Sequence, residues 1–118
     1  MWNSSGTLSF HKAGGSSIIT NDGEEKIQVV TIDEFLKNVD SRVDMIKLDT
    51  EGAEKEIIEG AKYSIAYFKP KLQISVYHKA EDLWDLILQI YKINPYYKFY
   101  LGHHSVSIIE TCVYAICD

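Results

Sequence analysis

The 118-residue sequence predicts an α/β fold, and three observations carry that expectation. Apolar, β-branched segments alternate with segments whose apolar residues recur at helical spacing: 43–49 precedes 53–67, and 71–78 precedes 81–92. Proline punctuates the segment ends, at Pro70 and at Asn94-Pro95. The last two apolar segments, 97–104 and 111–116, are joined by a linker too short for a crossover helix. The expected sheet is mostly parallel, with a C-terminal antiparallel hairpin.

Residues 4–25 are rich in Ser, Gly and Asn and hold two short apolar pieces, Thr7-Leu8-Ser9-Phe10 and Ser17-Ile18-Ile19-Thr20, which suits hairpins turning at glycine. Gly14-Gly15 is no nucleotide loop, since no buried strand precedes it and no amphipathic helix follows. Residues 26–32 are mostly β-branched and predict a strand. Asp33 stands where its carboxylate can cap the short helix that begins at Glu34. Next comes the strand 43–49, and then a helix on which Ala53, Ile57, Ala61 and Ile65 make one apolar stripe. The alternating strand 71–78 ends in His78, and the helix 81–92 is expected to bury Leu83, Ile87, Ile90 and Tyr91.

Composition narrows the function classes. A hydrophobic fraction of 46% and a charged fraction of 25% are those of a globular protein. A net charge of −5 offers no basic face to nucleic acid or an anionic membrane. No apolar run reaches the roughly 18 residues of a membrane span, and Met1-Trp2-Asn3-Ser4-Ser5 does not open a signal peptide, so the expected compartment is the cytoplasm. Cys112 and Cys117 face opposite ways on one strand and read as reduced core thiols; no metal is expected.

Chemistry concentrates where the strand 43–49 runs into Asp49-Thr50-Glu51-Gly52-Ala53-Glu54. Strand ends that lead into helices are where ligands bind in an α/β sheet. Asp49 is the candidate acid/base or acceptor-orienting group, with Glu51 as its partner. Lys47 shares a strand face with Asp49, and either steadies its charge or forms a structural ion pair with Asp49 or Glu54. Gly52 allows close approach to a ligand or a tight turn, and Glu54 complements the helix N-terminus. His78, on the neighbouring strand end, is a candidate base. His103 and His104 are adjacent and cannot easily share a metal; Tyr96, Tyr97, Tyr100 and Trp84 could line an acceptor pocket or simply pack.

The run Ile46-Lys47-Leu48-Asp49-Thr50-Glu51-Gly52-Ala53-Glu54 resembles the FkbM family of S-adenosylmethionine-dependent methyltransferases. Val30-Thr31-Ile32-Asp33-Glu34-Phe35-Leu36, Ile58-Glu59-Gly60-Ala61, the hairpin pieces Gly6-Thr7-Leu8-Ser9-Phe10 and Gly15-Ser16-Ser17, Ser75-Val76-Tyr77-His78, Glu81-Asp82-Leu83-Trp84, His103-His104-Ser105 and Glu110-Thr111 look like the same family. The resemblance implies a Rossmann-like methyltransferase sheet, truncated at the N-terminus, with residues 1–25 as a hairpin insertion and 26–118 as the α/β core. It implies S-adenosylmethionine as cofactor, touched here by Asp49 and Gly52, although the glycine-rich loop that mainly holds it is missing from this sequence. It implies Asp49, Glu51 and His78 as catalytic residues, and Lys47, Glu54, His103 and His104 on the substrate, a hydroxyl of a glycan, lipid or natural-product-like small molecule. The alternatives are a non-catalytic module that needs the missing cofactor-binding half, with self-association through an exposed sheet edge, and a metal-dependent hydrolase built on Asp49, Glu51 and His78.

Overall fold

The computed structural model describes residues 1–13, 16–20, 22–106 and 110–118; Gly14 and Gly15, where the hairpin was expected to turn, Asn21, and residues 107–109 lie outside the described residues. Strands β1 (Gly6–Ala13), β2 (Ser16–Ile19) and β3 (Glu25–Val29) form a small antiparallel sheet in the order β2-β1-β3. Phe10 pairs with Ile19 and Leu8 with Ile27, so the expected first hairpin is present. The strand expected over 26–32 stops at Val29 and joins this small sheet, while Ile32 opens helix α1 (Ile32–Asn38).

Thr31 caps α1, its hydroxyl accepting the Glu34 N–H at 3.0 Å. Asp33, expected to cap this helix, caps another. It sits one residue inside α1, and its carboxylate accepts the N–H groups of Tyr63 at 2.9 Å and Ser64 at 2.8 Å, together with the Ser64 hydroxyl at 2.6 Å. The carboxylate thereby satisfies orphan donors at the start of α3 (Lys62–Phe68), across a 30-residue separation.

The main sheet has the order β4-β5-β7-β6, built from β4 (Met45–Leu48), β5 (Lys71–Ser75), β6 (Lys98–His103) and β7 (Thr111–Ile116). β4 pairs parallel with β5; β7 pairs antiparallel with both β5 and β6. The sheet is therefore mixed, with one parallel pairing and two antiparallel ones, where a mostly parallel sheet was expected. The C-terminal hairpin does form, but β7 enters the sheet beside β5 and leaves β6 at the edge. It follows that β4, β5 and β6 point the same way, and their carboxyl ends share one rim.

The single helix expected over 53–67 is two, α2 (Glu54–Glu59) and α3, broken at Gly60 and Ala61. The Gly60 carbonyl accepts the Asp33 N–H at 3.0 Å, and a side chain at Gly60 would collide with the Trp2 carbonyl. The N-terminal segment thus lies against this break. Helix α4 (Asp82–Ile93) buries Asp82, Leu86 and Ile90. Of its expected apolar face only Ile90 is buried and Ile87 half-buried, because the inward stripe is rotated toward Leu86; Leu83 and Tyr91 are exposed, beside Trp84 and Leu88.

One face of the main sheet packs on the helices: Ile46, Leu48, Leu72, Ile74, Val113 and Ala115 meet Ile58, Ile65 and Ile90. The opposite face carries Met45, Lys47, Lys71 and Tyr100, all exposed, with Gln73 and Tyr114 half-buried. The molecule measures 43 × 41 × 19 Å, and its thin dimension is that of one sheet and one helix layer at about 10 Å each.

Two stability measurements follow. Asp33→Ala should lower unfolding free energy by about 1–2 kcal/mol in urea titration, through loss of the α3 cap. Asp82 is buried at the start of α4 and accepts the Lys79 N–H at 3.1 Å. Burial pushes its carboxyl above the ordinary 3.8, the Lys79 hydrogen bond pulls back, and Glu54 adds to the rise. The folded state then holds this proton more tightly than the unfolded state, so wild-type stability falls as pH rises from 3.8 through the folded value. Over that window Asp82→Asn should gain stability relative to wild type, read as urea midpoints at stepped pH.

Candidate functional site at the carboxyl rim of the sheet

Leu48 pairs with Ile74, so the chain leaves β4 and β5 at the same level: Asp49 follows one strand, and Tyr77 and His78 lie just beyond the other. After β4 the backbone makes a tight turn in which both Glu51 (φ 55°) and Gly52 (φ 92°) take left-handed conformations. For a non-glycine residue such as Glu51 that conformation costs about 1–2 kcal/mol. The turn returns the chain into α2, with the Ala53 N–H donating to the Thr50 carbonyl at 3.2 Å.

Four groups expected from the sequence meet here. His78 Nε2 lies 3.6 Å from Asp49 Oδ1 and 3.7 Å from Glu51 Oε2, and His78 Nδ1 lies 3.1 Å from Glu54 Oε1. Their exposures differ in a way that separates their roles: the Asp49 and Glu51 side chains are 45% and 54% exposed, whereas those of His78 and Glu54 are 8% and 1% exposed. Asp49 and Glu51 can touch an incoming molecule. Glu54, expected on the substrate, is sealed beneath the turn, where its Oε1 accepts the Thr50 N–H at 2.8 Å. Both ring nitrogens of His78 lack an aligned hydrogen bond among the described residues, as do Thr50 Oγ1 and Glu54 Oε2.

Sequence reasoning missed two members of this cluster. Tyr77 donates its hydroxyl to Asp49 Oδ1 at 3.0 Å and stacks obliquely on His78, with ring centroids 4.2 Å apart. Burial raises the Tyr77 pKa above 10.0, and the hydrogen bond to Asp49 and the charges of Asp49 and Glu51 add to it, so the phenol keeps its proton. The signal was strand parity: 71, 73, 75 and 77 share the face on which Asp49 lies. Lys79 is the other, donating its ammonium to the Gly52 carbonyl at 2.6 Å; a Cβ at Gly52 would lie 3.2 Å from its Cε. A concavity of about 310 Å³ opens beside the turn, lined by Trp2, Ile19, Thr50, Glu51, Gly52 and Lys79 among others.

The other expected residues lie apart from this cluster. Lys47 is exposed on β4 and makes no ion pair among the described residues, so the structural pair with Asp49 or Glu54 is not formed. His103 Nδ1 is 2.8 Å from Thr111 Oγ1, and His104 Nε2 is 2.6 Å from the Tyr114 hydroxyl. They share the rim, but three strand spacings, about 14 Å, separate β6 from β4. Tyr97 is buried, and donates its hydroxyl to the Pro70 carbonyl at 2.7 Å at the start of β5, so it belongs to the core and not to a pocket. A larger concavity of about 850 Å³ lies between α1 and α3, lined by Lys37, Arg42, Tyr63 and Phe68; it contains none of the rim residues, and the Asp33 carboxylate on its wall is spent on α3. Among the described residues no group of three or more His, Cys, Asp and Glu could hold a metal ion. Among the described residues no helix is long and apolar enough to cross a membrane.

The family model described as the Methyltransferase FkbM domain matches residues 1–115. The chain is similar to a crystal structure of Methyltransferase FkbM from Methylobacillus flagellatus KT, at 37% identity and a TM-score of 0.72, covering 89% of this chain and 27% of that one. The chain thus spans about a quarter of the solved relative's length. No curated protein matches it. With both the sequence model and the α/β architecture in agreement over nearly the whole chain, it belongs to the FkbM methyltransferase family.

Proposed function

We propose that this chain carries the acceptor side of a methyl-transfer site, with S-adenosylmethionine as donor and a hydroxyl of a glycan, lipid or natural-product-like small molecule as acceptor. The observation that supports this reading is the convergence of Asp49, Glu51 and His78 on one rim of a chain in a methyltransferase family. When bound, the donor supplies a methyl group on a positively charged sulfur, which leaves as a neutral thioether, so the reaction frees one proton from the acceptor hydroxyl. The residues present suit such a group: two half-exposed carboxylates offer negative charge, and the buried Thr50 hydroxyl lacks a partner beside the concavity. Asp49, Glu51 and the Gly52 turn would hold its charged end.

The rest of the chemistry belongs to the protein. Asp49 and Glu51 accept a hydrogen bond from the acceptor hydroxyl and orient it, which lowers the cost of alignment. The O–H bond breaks toward the Asp49 and Glu51 carboxylates, which hand the proton on to His78 Nε2, closed to solvent behind them. His103 and His104 lie about 14 Å along the rim, a reach that suits a second ring or the tail of an extended acceptor.

A second reading draws on β4. Among the described residues nothing pairs with its outer edge, and Met45 on it is 55% exposed. On that reading the chain is a module whose sheet and cofactor site are completed by another chain, or by a second copy of itself.

Calorimetric titration separates the two. The first reading expects saturable binding, tighter for S-adenosylmethionine than for S-adenosylhomocysteine because only the former is cationic, and Asp49→Asn should weaken the cationic ligand about tenfold, or about 1.4 kcal/mol, with less effect on the neutral one. A folded chain that binds neither ligand sinks it. The second reading expects concentration-dependent association in sedimentation, reduced several-fold by Met45→Lys; a monomer at all concentrations counts against self-association.

A further inference from the structure

We infer that Glu54 is the positioning residue for His78: its buried carboxylate holds the imidazole in the tautomer that carries hydrogen on Nδ1, so that Nε2 faces Asp49 and Glu51 with a free lone pair. This rests on His78 taking the acceptor's proton, and it concerns a residue that the sequence had placed on the substrate. At 1% exposure the Glu54 side chain cannot reach a substrate, whereas its Oε1 lies 3.1 Å from Nδ1.

The tautomer follows from donor and acceptor counting. An ionised carboxylate only accepts hydrogen bonds, and a neutral imidazole carries one N–H and one bare nitrogen. If Nδ1 were bare, its lone pair would face the carboxylate lone pairs at 3.1 Å in a site closed to water. With hydrogen on Nδ1 the same approach becomes attractive. The contact is close enough for a hydrogen bond but not aligned for one. A small turn of the ring aligns it, as bonds of this kind tighten when a ligand binds.

Glu54 is itself held. It accepts the Thr50 N–H at 2.8 Å, so the turn that carries Asp49 and Glu51 and the group that orients His78 are fixed by one carboxylate. On the other side of the ring, the 3.6 Å and 3.7 Å gaps from Nε2 to Asp49 and Glu51 are too long for direct bonds. Nε2 is itself closed to solvent, so these two half-exposed carboxylates stand between it and an incoming hydroxyl. The charged and titratable groups around the ring are Asp49 and Glu51 from the turn, Glu54 from α2, Asp82 from α4, and Tyr77 and Lys79 on either side of it in sequence. The Lys79 ammonium is committed to the Gly52 carbonyl.

The experiment is long-range proton–nitrogen NMR of the imidazole rings of the full 118-residue chain, at a pH where His78 is neutral, with its signals identified by their loss in His78→Asn. Free imidazole side chains favour hydrogen on Nε2, so a predominance of the Nδ1–H form in wild type is the expected and diagnostic result. Glu54→Met is close to Glu in size but offers Nδ1 no oxygen acceptor, so the ratio of Nδ1–H to Nε2–H should fall at least tenfold. Glu54→Gln, whose amide oxygen can take the place of Oε1 and accept from both the Thr50 N–H and Nδ1–H, should retain the wild-type tautomer. An Nε2–H form in wild type overturns the inference even if Glu54→Met does not fold, and so does a folded Glu54→Met with an unchanged ratio. None of these readings involves a methyl donor, so failure here is distinct from failure of calorimetric binding.

Discussion

The rim depends on a single alignment: β4 lies parallel to β5 with Leu48 opposite Ile74, so both strands deliver their next residues to the same side of the sheet. An antiparallel pairing would place the residue after Leu48 beside the start of its neighbour, and no cluster could form. Parallel pairing requires a crossover, and α2 and α3 supply it while packing over the buried sheet face. Its chemistry is a consequence of that topology. The crossover begins immediately after Gly52, which is why a helical residue, Glu54, lies beneath a turn residue, Thr50.

Burying two carboxylates in so small a core is costly, and the structure meets the cost with backbone donors. Glu54 takes the Thr50 N–H and Asp82 takes the Lys79 N–H, each belonging to a loop that must be held in shape for the rim to exist. The buried polar groups are therefore braces for loops. Asp33 does the same on the far side of the molecule, tying α1 to the start of α3. In each case a side chain substitutes for a backbone partner that the local fold cannot provide.

Much of this was legible in the residues. The turn at Gly52 and the meeting of Asp49 with His78 follow from alternation and glycine chemistry and lie where expected, but β4 closes at Leu48 and β5 already at Ser75, so His78 stands three residues past the strand that was expected to end in it. The errors share a physical cause, which is contact between distant segments. Nothing in the periodicity of 53–67 signals a break at Gly60; the break comes from the Trp2 carbonyl lying against it and the Asp33 N–H bonding to it. Asp33 sits in a good position to cap its own helix, yet Thr31 does so and Asp33 reaches across to α3. On α4, Leu83 and Leu86 are equally apolar, and only the packing chooses which one faces inward. Glu54 reads as an ordinary first-turn acid until its burial is known.

The thinness of the molecule has a bearing on turnover. At 19 Å across, with one sheet face open to water, the interior is a single side chain deep. Asp49 and Glu51 stand between the His78 ring and bulk solvent, both about half exposed, and Tyr77 is bonded to Asp49. On the proposed reading, proton exit and acceptor entry would use the same few ångströms of rim, and the groups that orient the acceptor would be the path by which the imidazole returns to its starting state.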